Sequence, residues 1–487
     1  MDHLLNSIVR ATQRSTDDLE RRIARDLEVL NLPAANWPAR KDGPDGRPAT
    51  DVVVVGAGMN GIAAAAALLF KGVRHIRILE RASAGREGPW RTFARMDTLR
   101  SPKTLPGPAL GIPSLSFRAW YEASFGVEAW HDLYKIDNGD WVDYLSFLQR
   151  VLKLPVEHDT AVHAIKPVGG FLRVEIGSAA GDSVVFARRV LLATGRGGAG
   201  GDKIPDFIDA TLWPDLAAHT NDFVDFNQLR GRSIGIVGGG ASAWDNAATA
   251  LEKGAGRVDM YVRRESLPQI NKGRGSATPG YFHGWAALAD SDKWGLSVYL
   301  NDVQAPPPHE TVRRALRQPN FHIHLGKPVT RAFRQDAQAA VTIRGEETPR
   351  RHDFLIVGTG FQVDAAAIPE IAGLAPFVAR WRDRYEPPED LRRPGLGDFP
   401  YLGDGFELLE RETGTCPDLS RIHLLNHGAA LSHGAIASDI PGVNVAAERV
   451  AVAITKSLFR EDIDVVRRDL EAFDEPELQD TPFFVQP

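Results

Sequence analysis

The stretch Asp51-Val-Val-Val-Val55-Gly56-Ala57-Gly58-Met59-Asn60-Gly61 decides the fold. Residues 51–55 form a short β-branched run with no polar alternation, which predicts a strand buried on both faces of a parallel sheet. The glycines turn the chain into the alanine-rich run 62–70, which predicts a helix. Strand, glycine turn and helix N-terminus together make a cradle for a pyrophosphate, because free backbone N–H groups and the helix dipole favour an anion. Gly58 lets the backbone approach the phosphates, Gly61 lets the helix pack on the strand, and Gly56, Met59 and Asn60 complete the turn.

Outward from this turn, Ile76-Arg77-Ile78-Leu79-Glu80 reads as a second strand ending in an acid at the usual reach of a ribose diol. Glu80, with Arg81 beside it, joins the first nucleotide site. A second copy of the pattern follows the strand 233–237. There, Val237-Gly238-Gly239-Gly240-Ala241-Ser242-Ala243 opens a helix that runs through Leu251. Its next strand, 258–262, ends in Arg263-Arg264 where the first copy ends in Glu80. An acid repels the extra phosphate of NADPH, whereas guanidinium groups hold it bidentately. The first unit is therefore assigned FAD and the second NADPH, with Gly238, Gly240, Ala241, Ser242, Ala243, Arg263 and Arg264 holding the latter. Val190-Leu-Leu-Ala-Thr-Gly195 and Leu355-Ile-Val-Gly-Thr-Gly360-Phe361 are hydrophobic strands ending in Thr-Gly turns, the form expected where a chain crosses between two nucleotide domains.

The rest of the chain fits this frame. At 487 residues, two or three domains are expected, and 43% hydrophobic with 25% charged residues is ordinary for a folded protein. Lys and Arg number 57 against 63 Asp and Glu, a net charge of −6, so no global positive field exists to hold nucleic acid or an anionic membrane. The single cysteine, Cys416, removes any Cys-x-x-Cys redox pair or four-thiolate metal site and suits a cytoplasmic location. The N-terminus lacks a signal-peptide core, and the longest apolar run, 62–70, is too short to span a bilayer. No metal site is expected at Phe321-His322-Ile323-His324, whose histidines lack carboxylate or thiol company.

The expected architecture is α/β, with two Rossmann-like dinucleotide-binding domains and the NADPH domain inserted into a discontinuous FAD domain. Residues 1–49 are an N-terminal helix, from Ser15 or Thr16 to Leu30, and an extended lead-in; the helix packs on the body or on a second subunit, which leaves a homo-oligomer open. The FAD domain takes 50–194 and 353–459. The NADPH domain takes 195–352, with an irregular, lid-like insertion at about 265–318, and 460–487 form a tail.

Further motifs carry a family resemblance. Glu87-Gly88-Pro89-Trp90-Arg91 resembles the Gly-Gly-Thr-Trp element that sits beside the flavin in class B flavoprotein monooxygenases, the flavin-containing, Baeyer-Villiger and N-hydroxylating enzymes. Ala94-Arg95-Met96-Asp97 is similar to the Ala-Arg-Cys-Asp of Baeyer-Villiger enzymes, and Leu99-Arg100-Ser101-Pro102-Lys103 to a Leu-Arg-Thr-Asn-x-Pro-Lys/Arg stretch of flavin-containing monooxygenases. The fingerprint Phe-x-Gly-x-x-x-His, with an aromatic or Lys four residues on, survives only as Trp213 to His219 and Phe223, with its first aromatic changed and its Gly lost.

The resemblance implies an enzyme in which NADPH reduces FAD, O₂ gives a flavin (hydro)peroxide, and oxygen passes to a small polar substrate. It places Trp90 beside the flavin and makes Asp97, Arg100, Lys103 and His433 candidate catalytic groups. Arg91, Arg95, Arg100, Lys103 and Arg118 are read as a cationic set near the ring, available to the flavin, the nucleotide or an acidic substrate. Met96 with Lys103 loosely resembles the substrate-carboxylate arrangement of N-hydroxylating enzymes, so N-hydroxylation of an amine or amino acid is favoured over Baeyer-Villiger or sulfur oxygenation. A non-oxygenating NADPH:acceptor reductase and a nucleotide-sensing protein are the other readings.

Overall fold

The computed structural model describes residues 2–485, with the side chains of residues 16–485. Helix α1 (Asp2–Val29) starts the chain. It runs through Ser15 and Thr16, so neither caps it. Leu19 and Ile23 are buried where α1 packs on α3 (Phe117–Phe125).

Strand β1 (Thr50–Val55) leads through the glycine turn into α2 (Met59–Phe70) and β2 (Ile76–Leu79). After α3 come α4 (Val127–Asp132), α5 (Asn138–Val151), β3 (Val156–Glu157), β4 (Thr160–Val168), β5 (Phe171–Ser178) and β6 (Gly181–Leu192). The first sheet runs β3-β2-β1-β6-β5-β4. Strand β6 belongs to two layers. Its first half pairs antiparallel with β5, while its second half pairs parallel with β1 on one side and with β15 (Ile422–Leu424) on the other. Val52, Val53 and Val54 are fully buried in this parallel layer, which is why the β-branched run shows no alternation.

The second sheet is wholly parallel. It contains β7 (Ala217–His219), β8 (Ser233–Val237), β9 (Arg257–Val262), β10 (Phe321–Leu325) and β14 (Phe354–Val357), in the order β10-β9-β8-β14-β7. Helix α6 (Ala241–Glu252) follows β8. A three-stranded antiparallel flange of β11 (Val329–Gln335), β12 (Gln338–Ile343) and β13 (Arg350–His352) precedes β14. Because β14 pairs with β8 and β7, the boundary expected at residue 353 lies beyond Val357: the Leu-Ile-Val run completes the second sheet, and the chain rejoins the first core from Ile368, where residues 369–377 pack on β4, before adding β15 to the first sheet.

The insertion expected to be irregular is helical. It holds α7 (Lys272–Gly275), α8 (Pro279–Gly284), α9 (Asp290–Val303) and α10 (His309–Leu316). Asn271 and Thr278 cap the first two by accepting N–H bonds, so the Gly and Pro residues that mask the pattern mark the helix ends. Tertiary contacts hold the segment. Trp294 and Val298 of α9 bury against Trp381 of α11 (Trp381–Arg384), Leu396 of α12 (Pro394–Gly397) and Leu431 of α13 (Ala430–His433). The Trp285 indole N–H donates to the Leu431 carbonyl at 3.1 Å.

Helix α14 (Val443–Glu461) lies across α2, and α15 (Ile463–Ala472) occupies part of the expected tail. At the α14–α15 junction the fully buried Arg188 of β6 meets Asp51 (3.1 Å), Glu461 (3.0 Å) and Asp462 (2.7 Å). Burial works against a charged Glu461, yet Arg189, Arg421 and Arg188 hold its carboxyl down to about 2. No helix among the described residues is long and apolar enough to cross a membrane.

Candidate functional site

The glycine turn after β1 is built for a close approach by something outside the chain. Gly56 has φ +99°, and a Cβ there would press on the Ala193 carbonyl oxygen at 2.7 Å. A Cβ on Gly61 would collide with the Gly56 carbonyl, so only glycine lets α2 start this close to the strand. At Gly58 an added Cβ meets nothing within 4 Å. The turn is thus closed on its protein side and open on the side where the α2 N-terminus points.

Glu80 is buried at the rim of this cradle, where Ala57 N–H donates to Oε2 (2.7 Å) and Ala82 N–H to Oε1 (2.8 Å). Both bonds fix the carboxylate at the turn. Met59 is buried at the start of α2, and Arg81 stands exposed beside Glu80. The Asn60 amide donates to the Ala437 carbonyl (2.8 Å), while its buried Oδ1 has no partner within the protein. An open glycine, a buried acid and an orphaned amide oxygen at one helix N-terminus form the donor and acceptor set that the pyrophosphate and ribose of FAD require.

The second turn repeats this design. A Cβ on Gly238 (φ +129°) would collide with the Gly358 carbonyl, whereas Gly240 faces open space. Ala241 and Ser242 begin α6, and Ala243 is buried against Gly358. The two arginines differ. Arg263 is exposed and makes no hydrogen bond or ion pair among the described residues, while Arg264 donates to the Asp302 carbonyl at 2.7 Å. Arg263 is therefore the open guanidinium.

The two crossings meet each other. Lys203 N–H donates to the Gly360 carbonyl (2.9 Å), Asp202 bridges Phe361, and Gly195 turns at φ +71°. Asn426 is wholly buried and ties this corner together, donating to Thr194 Oγ1 (2.9 Å) and to the Gly198 carbonyl (3.1 Å). His219, at the end of β7, is buried with its Nδ1 3.0 Å from Asp202 Oδ1 and its ring edge-on to Phe361 at 5.8 Å. The aromatic of that fingerprint, Phe223, is exposed.

The candidate catalytic groups are not brought together. Lys103 Nζ donates to the Trp130 and His131 carbonyls (2.7 and 3.2 Å) at the end of α4 and lies over the Trp130 ring. Met96 packs against the core. Arg100 pairs with Asp245 of α6 at 2.5 Å, and Asp97 with Arg314 of α10 at 3.2 Å. Arg91 pairs with Asp143, Arg118 with Glu122, and Arg95 donates to the Thr92 carbonyl and lies over Phe226. The expected open cationic set is therefore a set of engaged side chains, because each guanidinium or amine has a local carboxylate, carbonyl or ring within reach. Trp90 packs edge-on to Trp141 at 6.4 Å.

His433 is likewise structural. Its ring stacks on Phe406 at 3.8 Å, Nε2–H donates to the Gly403 carbonyl (3.0 Å), and Nδ1 accepts from Arg449 (3.2 Å). Accepting from a guanidinium requires a neutral imidazole, and burial followed by the Arg449 charge pushes its pKa down to about 3. A His at this position was legible; its stacking partner, far off in sequence, was not.

Sequence reasoning missed Arg196 and Tyr281, which join His427 and Asp439 in a polar group at the far end of the crossing. Arg196, directly after Gly195, pairs with Asp439 at 3.1 Å. His427 has a buried Nδ1 without a partner, and burial, then Arg196, push its pKa down to about 3. Tyr281 of α8 lies close enough to Asp439 for that carboxylate to help raise its pKa, after burial as the main cause. The one available signal was position: Arg196 follows a Thr-Gly turn, and Asp439 precedes the Pro-Gly that opens α14.

A model of the pyridine nucleotide-disulphide oxidoreductase family matches residues 53–276. A relative, the FAD-dependent urate hydroxylase of Xanthomonas campestris pv. campestris, is 36% identical over 465 residues, covering 95% of this chain and 97% of the relative. Among solved structures, the ornithine N-hydroxylase of Kutzneria sp. 744 matches with a TM-score of 0.69 at 17% identity, over 84% of this chain and 100% of that one. The flavin-containing monooxygenase of Stenotrophomonas maltophilia matches with a TM-score of 0.55 at 20% identity, over 84% and 99%. These two share the fold.

Proposed function

The chain belongs to the class B flavoprotein monooxygenases, FAD-dependent oxidoreductases, and from that premise we propose that it hydroxylates a small planar anionic heterocycle of the urate type, with NADPH as electron donor. The observation that carries this reading is the relative named a urate hydroxylase, matched along nearly the whole of both chains. The expectation of amine N-hydroxylation leaned on Lys103 as a carboxylate holder, and that amine is engaged by the carbonyls of α4.

Bound FAD supplies two-electron acceptance and the activation of dioxygen. The chain supplies the rest. The turn at Gly58 and the α2 N-terminus receive its pyrophosphate, Glu80 its ribose, and the Asn60 Oδ1 a further donor. The turn at Gly240 receives the nucleotide, and Arg263 its 2′-phosphate. The insertion is docked on α11, α12 and α13 through Trp285 and Trp294. Arg196, half exposed and paired among the described residues with Asp439 alone, takes the planar anion, Tyr281 borders it, and neutral His427 offers a hydrogen bond without a charge. In balance, one oxygen of O₂ enters the substrate, the other leaves as water, and NADPH provides the two electrons.

The test is anaerobic reduction of the FAD-loaded protein by NADPH, then mixing with oxygenated buffer and urate, with product analysis and oxygen uptake. Stoichiometric hydroxylated urate is the expected result. Oxygen uptake coupled instead to an amine, ketone or sulfide would overturn the substrate assignment, and peroxide release with every candidate substrate would leave an oxidase or reductase.

A further inference from the structure

Residues 95–100 form a strap between the two nucleotide domains, and its charges reach the helix that carries the second glycine turn. On the FAD side the strap is pinned by backbone: Leu99 N–H donates to the Ile136 carbonyl (2.8 Å), Asn138 N–H to the Asp97 carbonyl (3.1 Å), and the Asn138 amide to the Met96 carbonyl (2.6 Å). On the other side it meets α6 and α10. Arg100 donates to Asp245 Oδ2 at 2.5 Å, and Thr311 of α10 donates to Asp245 Oδ1 at 2.8 Å. Arg314 of α10 grips Glu252 of α6 through two bonds (2.8 and 2.6 Å) and Asp97 at 3.2 Å.

Asp245 is the feature that gives the strap direction. It lies five residues past Gly240, in the second turn of α6, and its side chain is 4% exposed. Arg100 is the only cation within ion-pair distance of this carboxylate among the described residues. A buried carboxylate deprived of its cation is costly, so α6 is held where Arg100 can reach it. The two ends of α6 are thereby fixed separately, Asp245 near its N-terminus by Arg100 and Glu252 at its C-terminus by Arg314.

We propose that Arg100 is a positioning residue: through Asp245 it sets the placement of α6, and with it the nucleotide turn at Gly240, against the FAD domain, and so governs hydride delivery between them. This rests on the nicotinamide reading of the second site, and the experiment separates the two.

Arg100→Ala and Arg100→Lys are compared with the unaltered holoenzyme in two measurements. In the first, hydrogen exchange of the FAD-loaded proteins is followed by mass spectrometry without nucleotide. Arg100→Ala exchanges faster in peptides covering 93–99 and 241–252, with no change over 50–55, and Arg100→Lys restores protection. In the second, anaerobic reduction gives a limiting rate with saturating NADPH at least tenfold lower in Arg100→Ala, within about threefold of the parent in Arg100→Lys, and unchanged with dithionite.

Unchanged exchange of 241–252 in Arg100→Ala overturns the proposal, as does a parental limiting rate in that variant. So does loss of FAD, because it would make Arg100 a fold residue of the first domain. Failure of NADPH and NADH to reduce the unaltered protein would instead sink the donor reading, and the exchange measurement then decides the strap by itself.

Discussion

Gly58→Ala separates fold from cofactor binding more cleanly than any other single change in the site. Gly58 sits at φ −66°, ψ −179°, a backbone that alanine adopts freely, and its Cβ would meet nothing within 4 Å. The cost to the fold is confined to exchanging an N-cap glycine for alanine, at most about 1 kcal/mol. The new methyl stands in the open face where the pyrophosphate must come. Losing one charge-assisted hydrogen bond between a backbone N–H and a phosphate costs roughly 1.5–3 kcal/mol. At about 1.4 kcal/mol per decade, FAD should bind roughly 10- to 150-fold more weakly. The assay is a titration of the apoprotein with FAD by fluorescence, beside thermal unfolding of the same apoprotein. Parental FAD affinity in Gly58→Ala would refute the reasoning, since the methyl cannot share its space with a phosphate oxygen. Gly61→Ala is the contrasting control: its Cβ collides with the Gly56 carbonyl, and the apoprotein itself should lose stability.

Other outcomes follow from the same geometry. Arg263→Ala should raise KM for NADPH tenfold or more with little change for NADH, while Arg264→Ala, whose guanidinium serves the Asp302 carbonyl, should have the smaller effect; equal losses for both nucleotides would remove the phosphate assignment. His433 is neutral in the fold, with its pKa depressed to about 3 from 6.5, so its contribution to stability is complete above pH 6.5 and is lost as pH falls toward 3. His433→Gln, which keeps a donor for the Gly403 carbonyl, should flatten the fall in thermal midpoint between pH 7 and 5; an unchanged slope would show that another group sets it. Trp285→Ala should free the insertion, seen as faster tryptic cleavage after Lys272 and Arg274, because the indole fills the space over Gly434.

The parts of this molecule that are legible in its sequence are those whose cause is local. Residues 51–61 need only their own β-branching and glycines to announce a strand, a turn and a helix. The contrast between Glu80 and Arg263-Arg264 is likewise visible because both ends sit one strand after their own turn. What escaped was whatever depends on a distant partner. Lys103 and Arg100 look available in sequence, yet their fates are decided by the carbonyls at the end of α4 and by a carboxylate of the other domain. Leu355 to Val357 reads correctly as a buried strand but does not say which sheet will bury it. The insertion hid its helices because several are short and interrupted by Gly and Pro, and because Trp285 and Trp294 are held by remote elements.

The division of β6 between two layers bears on how the protein is made. Its edge at Val190 to Leu192 waits for Ile422 to Leu424, and the outer face of α2 waits for α14. Arg188 finds one carboxylate early, at Asp51, but its other two, and the one that meets Arg189, come later still, at Glu461 and Asp462. The second sheet, by contrast, has all five of its strands once Val357 has emerged. During synthesis the inserted domain therefore has all the strands of its sheet before the flavin domain has those of its own, which still needs residues 422–424.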